Sequence, residues 1–208
     1  MLTPLVADMN HNNTVIFDRI VAAGIIGVIH KATQGSGFTD HLYALRRQLA
    51  KRVGLCWGAY HFNDGSDVEK QVQHFLDVAQ PDEHTSLWLD FEDNPRSNMS
   101  IDQAREFLQL VDKKTGRYCG IYGGNRIKEN LPHPDAFFGK HRLWLCQYGP
   151  VAKIPNSWQN YFLWQYTGDG VGPKPHSVPG LEPGADLNTY GGTVDELRRN
   201  WANPLIGD

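Results

Sequence analysis

Eight short apolar runs recur along the whole chain and limit the folds that it can adopt. They lie at residues 5–10, 25–33, 55–62, 86–92, 118–124, 142–149, 161–167 and 184–190. The runs are continuous rather than strictly alternating, which is typical of strands that are covered on both faces. The pattern therefore predicts eight buried strands.

Helical segments separate the earlier runs. Apolar spacing over residues 40–53 places Leu42, Leu45, Leu49 and Val53 on one stripe. Ser/Thr residues followed three positions later by Glu or Gln indicate capping boxes, at Ser66/Glu69, Ser100/Gln103 and Thr193/Glu196. Two further helices are expected, one from Asn13 or Thr14 to Gly24 and a short one at 125–131.

Strands that alternate with helices indicate parallel pairing through right-handed crossovers. Eight of them predict an α/β fold closed into a TIM-barrel-like (β/α) barrel, with fewer than eight helices because the helical signal fades after Tyr118. An open doubly wound sheet is the alternative. No linker, repeat or low-complexity segment interrupts the chain, so residues 1–208 are expected to form one domain.

Composition excludes several classes of function. Twenty basic and 23 acidic residues give a net charge of −3 with no block of like charge, which disfavours nucleic-acid partners and a polybasic membrane anchor. No apolar run approaches the roughly 18 residues of a membrane span, and the first residues lack a signal-peptide pattern. Cys56, Cys119 and Cys146 each lie in an apolar run and are expected to be reduced and buried.

The stretch LWLDFED, residues 87–93, places two carboxylates one residue apart where an apolar strand ends. Residues i and i+2 of a strand point to the same face, so Asp90 and Glu92 should lie side by side. Each then raises the pKa of the other, and one member can stay protonated near neutral pH. The pattern indicates an acid pair, although a surface turn before Pro95 is the structural alternative.

Other polar residues follow the predicted strands in the same way. Chemistry in parallel barrels gathers at the carboxyl ends of the strands. The set that we expect there is Asp8, His30, Lys31, Tyr60, His61, Asp90, Glu92, Tyr122, Gln147, Tyr148, Trp164, Gln165, Tyr166, Asp186 and Asn188. Carboxylates with aromatic rings and little positive charge favour a neutral glycan, since sugars stack on aromatic rings and glycosidic oxygens need an acid.

Rival chemistries have weaker support. The sequence contains no Walker loop, the motif typical of phosphate chemistry, and no GxSxG elbow, the motif typical of a serine hydrolase. A metal site built on His30 and His61, with Asp8, Asp90 or Asp186 joining them, is the main alternative. Against it stands the lack of an HxH or HExxH motif.

Seven motifs in a fixed order resemble glycoside hydrolase family 25, the lysozyme-like N-acetylmuramidases. Asp8 follows the first apolar run, and then come KATQG (31–35), GAYHF (58–62), LDFE (89–92), LWLCQYG (143–149), LWQYT (163–167) and GADLN (184–188). The resemblance implies a flattened, irregular barrel. The sequence differs from the usual family pattern at two places. Gln34 stands where the family motif KATEG has a glutamate, and the stretch MNHNN after Asp8 is also different.

The resemblance also implies roles for individual residues. Glu92 corresponds to the general acid, Asp90 to its partner, and Asp8 and Asp186 to flanking acids. The side chains expected to bind substrate are Tyr60, Trp164, Tyr122, Gln147, Tyr148, Lys31 and His61. The implied substrate is the β-1,4 bond between N-acetylmuramic acid and N-acetylglucosamine in peptidoglycan. A carboxylate nucleophile, an activated water and the substrate acetamide all remain open as the attacking group.

We expect no cofactor, no metal, no nucleic-acid partner and no membrane anchor, and a monomer that acts on peptidoglycan glycan strands. The sequence predicts synthesis in the cytoplasm and action on the cell wall after holin-type release or dedicated export, as in an endolysin, without a wall-binding module. A catalytically inactive glycan-binding barrel is the alternative outside the enzymes.

Overall fold

The computed structural model describes residues 2–207 and contains a strand within each of the eight predicted runs. Three additional two-residue strands lie between them. The strands are β1 (Val6–Met9), β2 (Thr14–Val15), β3 (Gly27–Gln34), β4 (Phe38–Thr39), β5 (Cys56–Phe62), β6 (Ser86–Asp90), β7 (Gly120–Gly123), β8 (Leu143–Cys146), β9 (Leu163–Thr167), β10 (Leu181–Glu182) and β11 (Asp186–Thr189). The helices are α1 (Phe17–Ala22), α2 (Tyr43–Arg52), α3 (Val68–Ala79), α4 (Ile101–Thr115), α5 (Asn125–Asn130) and α6 (Val194–Arg199), with a 3₁₀ turn at Phe138–Lys140.

Eight of these strands form a closed ring. Hydrogen bonding runs in the order β1, β11, β9, β8, β7, β6, β5 and β3, and β3 pairs with β1 to complete the circle. The predicted closed barrel is therefore confirmed, and the open doubly wound sheet is wrong.

The ring is not entirely parallel, which corrects the expected topology. β11 runs antiparallel to both of its neighbours, β1 and β9. The connection from β9 to β11 contains only the short β10, whereas a parallel return normally runs through a helix. Because β11 runs in the opposite direction, its first residue, Asp186, lies at the same end of the barrel as the last residues of the parallel strands.

Alternation along the strands divides the apolar residues into an interior cluster and an outer layer under the helices. The interior cluster includes Val6, Ile29, Tyr60, Trp88, Tyr122, Trp144 and Leu163. Leu197 in α6 and Trp201, two residues after that helix, join this cluster and close the amino-terminal end. A Cβ at Gly27 would lie 2.6 Å from the Trp201 ring, so the close packing there requires glycine.

Two of the three predicted capping boxes are confirmed. Ser100 with Gln103, and Thr193 with Glu196, exchange both hydrogen bonds at the starts of α4 and α6. The capping box predicted at Ser66 is wrong. Asp67 caps α3 instead, since its side chain accepts the hydrogen bond from the Lys70 backbone N–H at 2.9 Å. The predicted short helix at 125–131 is confirmed as α5.

Two helix predictions fail for reasons that lie in tertiary packing. Thr14 and Val15 pair with β10 instead of starting a helix, and α1 begins at Phe17. In α2 the predicted stripe is only partly buried, since Leu45 is 54% and Leu49 36% exposed, whereas Leu42 and Val53 are half-buried. The buried face is instead formed by Tyr43, Arg46 and Ala50.

Arg46 is buried because it satisfies three acceptors. It donates to the carbonyls of Asn10 (2.7 Å) and Asn13, in the loop that follows β1, and to His30 Nε2 at 3.0 Å. The guanidinium therefore holds in place the loop that leaves β1 just after Asp8.

We predict that Arg46→Met lowers the free energy of unfolding by about 2–4 kcal/mol, because it leaves buried acceptors unpaired. Denaturant unfolding followed by circular dichroism measures the change. Arg52→Met, on the exposed face of the same helix, is the matched control and should stay within about 0.5 kcal/mol of wild type. A loss below about 1 kcal/mol for Arg46→Met would show that the network contributes little.

Candidate active site

Four carboxylates meet at one end of the barrel, as expected from the sequence. Asp8 in β1 lies directly opposite Asp186 in β11. Asp90 is the last residue of β6, and Glu92 follows it by two positions. Phe91 between them is fully buried in the outer layer, so Asp90 and Glu92 share the inner side.

Asp8 is held by two amide side chains. Gln165 Nε2 donates to both carboxylate oxygens, at 3.1 and 2.9 Å, and Asn188 Nδ2 donates at 2.8 Å. Tyr122 and Trp144 orient these amides by binding their oxygen atoms. The Tyr122 hydroxyl donates to Gln165 Oε1, and Trp144 Nε1 donates to Asn188 Oδ1. Burial, followed by the charge of Asp186, nevertheless raises the pKa of Asp8 well above its usual value.

Asp90 is buried and incompletely paired. Its Oδ1 has no hydrogen-bond partner within residues 2–207. Burial and then the charge of Glu92 raise its pKa well above the ordinary value, while the ammonium of Lys31 opposes that rise. Lys31 lies 4.7 Å from the Phe62 ring centroid and donates to Gln34 at 2.7 Å.

Glu92 opens onto a cleft of about 490 Å³. The cleft is lined by Glu92, Asp93, Gly124, Asn125, Arg126, Cys146, Gln147 and Tyr148. Burial is the main cause that raises the pKa of Glu92. The Cys146 thiol lowers it, whereas the charges of Asp186, Asp169 and Asp93 raise it further.

Asp169 is an acid at this site that the sequence analysis missed. It lies in the tight turn after β9 with φ of 51°, a left-handed conformation that is uncommon for a residue other than glycine. Burial and the charge of Asp169 raise the pKa of Asp186 to about 6, and the Asp169 backbone N–H partly offsets this. The preceding Gly168 lies so close that a Cβ there would be 2.4 Å from the Tyr148 hydroxyl and 2.5 Å from Asp186 Oδ1.

The aromatic residues beneath the acids differ in part from those expected. Tyr60 and Tyr122 face the interior and contact Trp144, with ring centroids 6.4 and 4.3 Å from it. The prediction that Trp164 lines the sugar groove is wrong. Its side chain packs in the outer layer and donates to the Gln147 carbonyl at 2.7 Å. On β9 it is the neighbouring Gln165 that faces inward.

Both candidate histidine ligands lie outside the barrel, under the helices. His30 is bonded through Nδ1 to the Lys31 carbonyl and through Nε2 to Arg46. His61 has no exposed surface and is bonded to Thr33 at 2.8 Å and to Gln71 at 3.0 Å. The two histidines therefore do not ligate one ion at the mouth, and the prediction that His61 contacts substrate is wrong.

The remaining predicted contacts lie where a polymer can reach them. Gln147 and Tyr148 line the cleft beside Glu92, and half-buried Lys31 borders Asp90. Within residues 2–207, no group of three or more His, Cys, Asp or Glu side chains is arranged to hold a metal ion. The arrangement is suited to proton transfer and to stabilisation of a positive charge, because Glu92 lines an open cleft and further carboxyls of raised pKa act on it from nearby.

Comparison with known proteins assigns this barrel to a family. The profile described as glycosyl hydrolases family 25 matches residues 8–174, and the chain belongs to that family. The bacterial lysozyme from Streptomyces coelicolor superposes with a TM-score of 0.81 at 24% identity, over 92% of this chain and 94% of that one.

Two curated relatives are longer than this chain. The autolytic lysozyme of Clostridium acetobutylicum is 30% identical over 195 residues, covering 87% of this chain and 55% of the relative. The Escherichia coli protein YegX is 29% identical over 177 residues, covering 81% of this chain and 60% of the relative. The chain thus spans less than two thirds of the length of both. No helix in residues 2–207 is long and apolar enough to cross a membrane.

We predict that Asp90→Asn stabilises the protein at neutral pH. A carboxyl whose pKa is raised by folding stabilises the fold only while protonated, so its contribution is lost as the pH rises above about 4. The variant should unfold roughly 2–4 °C higher than wild type at pH 7.5, with little difference near pH 4. Thermal unfolding at both pH values measures this, with exposed Asp77→Asn as control. Equal or lower stability at pH 7.5 would contradict the expected repulsion.

We further predict that Asp169→Asn lowers the pKa of Asp186 from about 6 by roughly half a unit to one unit, because a neighbouring negative charge is removed. Carboxyl ¹³C NMR titration of aspartate-labelled protein measures the shift. Asp18→Asn, at an exposed position in α1, should leave the titration unchanged because Asp18 is not among the groups that shift the pKa of Asp186. An identical Asp186 curve in Asp169→Asn would exclude this interaction.

Proposed function

We propose that the protein is a muramidase that hydrolyses the β-1,4 bond between N-acetylmuramic acid and N-acetylglucosamine in peptidoglycan. The observation that carries the proposal is the position of Glu92, half-buried among like charges and open to the cleft. Membership of glycosyl hydrolases family 25 supports the same reaction class. Peptidoglycan lies outside the cytoplasmic membrane, so this activity places the site of action at the cell wall.

Glu92 is the group that we assign as general acid. Among the charges that act on it, Asp186, Asp169 and Asp93 all favour the protonated form. Asp90 differs because Lys31 favours its charged form. Burial and the charge of Glu92 raise the pKa of Asp90 as well, so the assignment follows from access. Glu92 lines the cleft in which the glycosidic oxygen can lie, and Asp90 does not.

The proton of Glu92 passes to the glycosidic oxygen as the bond to the anomeric carbon breaks. We propose that the N-acetyl oxygen of the muramic sugar attacks the same carbon, and that the unpartnered Asp90 Oδ1 accepts the acetamide N–H. Asp8 and Asp186 stabilise the positive charge that develops. Water then opens the oxazolinium ring and returns a proton to Glu92, which completes hydrolysis.

The groups that position the sugar follow from the same geometry. Tyr60 and Tyr122 lie beneath the acids, and Gln147 and Tyr148 line the cleft wall. Rings beneath a sugar contact its C–H face, while amides and hydroxyls at the wall bind its polar edge. We assign these four residues and Lys31 to substrate binding.

We predict that Glu92→Gln lowers the rate of peptidoglycan cleavage by at least about 10²–10⁴-fold while the fold is retained, because general-acid catalysis is lost. Released reducing ends, reduced with borohydride and identified by mass spectrometry, should be muramitol in the wild type. Glu129→Gln, on the exposed face of α5, is the control and should keep the wild-type rate.

Two results would overturn this proposal. Wild-type cleavage by Glu92→Gln would remove Glu92 from the mechanism, and glucosaminitol as the reduced end would assign cleavage to the other glycosidic bond. Binding to peptidoglycan without any release of reducing ends would identify a glycan-binding barrel instead.

A further inference from the structure

Two lysines are held together beside the cleft that contains Glu92. Lys128 Nζ, from α5, donates to Gln147 Oε1 at 3.0 Å. The backbone N–H of Lys153 donates to the same oxygen at 3.2 Å, and Gln147 Nε2 donates to the Val151 carbonyl at 2.9 Å. Gln147 lines the cleft, so Lys128 borders it through its ammonium group and Lys153 through its backbone. The charge of Lys153 also acts on Lys128, which places the two lysines next to each other.

This lysine pair has no fixed counter-charge. Within residues 2–207, no carboxylate oxygen lies within 4.0 Å of either ammonium group. Partial burial, followed by the charge of Lys153, lowers the pKa of Lys128. Two neighbouring cations without an acid repel each other, and a bound anion would relieve that repulsion.

A third cation lines the same cleft. Arg126 is fixed by Asp93 at 2.7 Å and by the Phe91 ring, 4.7 Å from its guanidinium carbon. Its buried Nε has no hydrogen-bond partner within residues 2–207. The cleft thus contains Glu92 and the ion pair of Asp93 with Arg126, and the lysine pair borders it at Gln147.

Peptidoglycan, the substrate in the proposed function, carries carboxylates that would lie near these cations. The sugar rings are neutral, but each muramic sugar carries a peptide on its lactyl ether, and that peptide bears free carboxylates. Since Glu92 acts on the bond next to the muramic sugar, the peptide leaves the chain beside the cleft. Resting on that function, we propose that Lys128 and Lys153, with Arg126 beside them, bind a carboxylate of the stem peptide and select strands whose stems are acidic.

The test compares two forms of peptidoglycan, both with their amines acetylated. In one the stem carboxylates are free, and in the other carbodiimide and ammonium have converted them to amides. We expect wild-type kcat/KM to be about fivefold to tenfold higher on the acidic form, the worth of one or two partly exposed charge-assisted hydrogen bonds. The double variant Lys128→Gln/Lys153→Gln should show no preference. On both forms its kcat/KM should equal the value that the wild type has on the amidated form.

A matched control lies on the outer surface of α4. Lys113→Gln/Lys114→Gln removes the same charge from exposed lysines, and Lys114 also donates to a glutamine, Gln73 at 3.2 Å. This variant should keep the wild-type preference, which separates local binding from general attraction to an anionic polymer. Arg126 is left intact because its loss would also uncover Phe91.

The outcomes distinguish the two proposals. A wild type without preference for the acidic form, or a preference that survives in the Lys128/Lys153 variant, overturns the stem-carboxylate proposal and leaves the muramidase assignment standing. A wild type that cleaves neither form refutes the muramidase assignment, and the stem proposal falls with it.

Discussion

The antiparallel pairing of β1 with β11 is the contact on which the site depends. It closes the barrel, and its register sets Asp8 opposite Asp186 although the two are far apart in the chain. A parallel β11 would carry Asp186, its first residue, to the other end of the barrel. Closure and strand direction together therefore bring the first and last acids to the mouth where Asp90 and Glu92 emerge.

Placing these acids together costs stability, and the surrounding residues limit that cost. Asn188 and Gln165 donate to Asp8, and Lys31 offsets part of the charge near Asp90. No cation has a comparable effect on Glu92. Burial and the neighbouring acids raise its pKa, and no positive charge is among the main groups that oppose this rise. Burial and like charge raise the pKa values of all four carboxyls, and Glu92 is the one of the four that lines the cleft.

The sequence indicated much of this arrangement, because continuous apolar runs predict buried strands and acids at their ends predict a mouth. It did not distinguish Trp144 from Trp164, since both faces of a buried strand are apolar and no alternation reveals which residue points inward. The burial of Arg46 depends on His30 and two carbonyls in a distant loop, so local spacing favoured the leucines. Asp169 reaches the site through a left-handed turn after β9, and its own sequence context gave no sign of that position.

The protonation of Glu92 is the central claim, and glutamate-labelled protein tests it by carboxyl ¹³C NMR titration. The signal that disappears in Glu92→Gln is that of Glu92. It should titrate clearly above 4.5, the ordinary value for glutamate, because burial and the nearby acids raise its pKa. A Glu92 signal that titrates at or below 4.5 would show that burial and the nearby acids do not favour the protonated form, and would contradict its role as the acid.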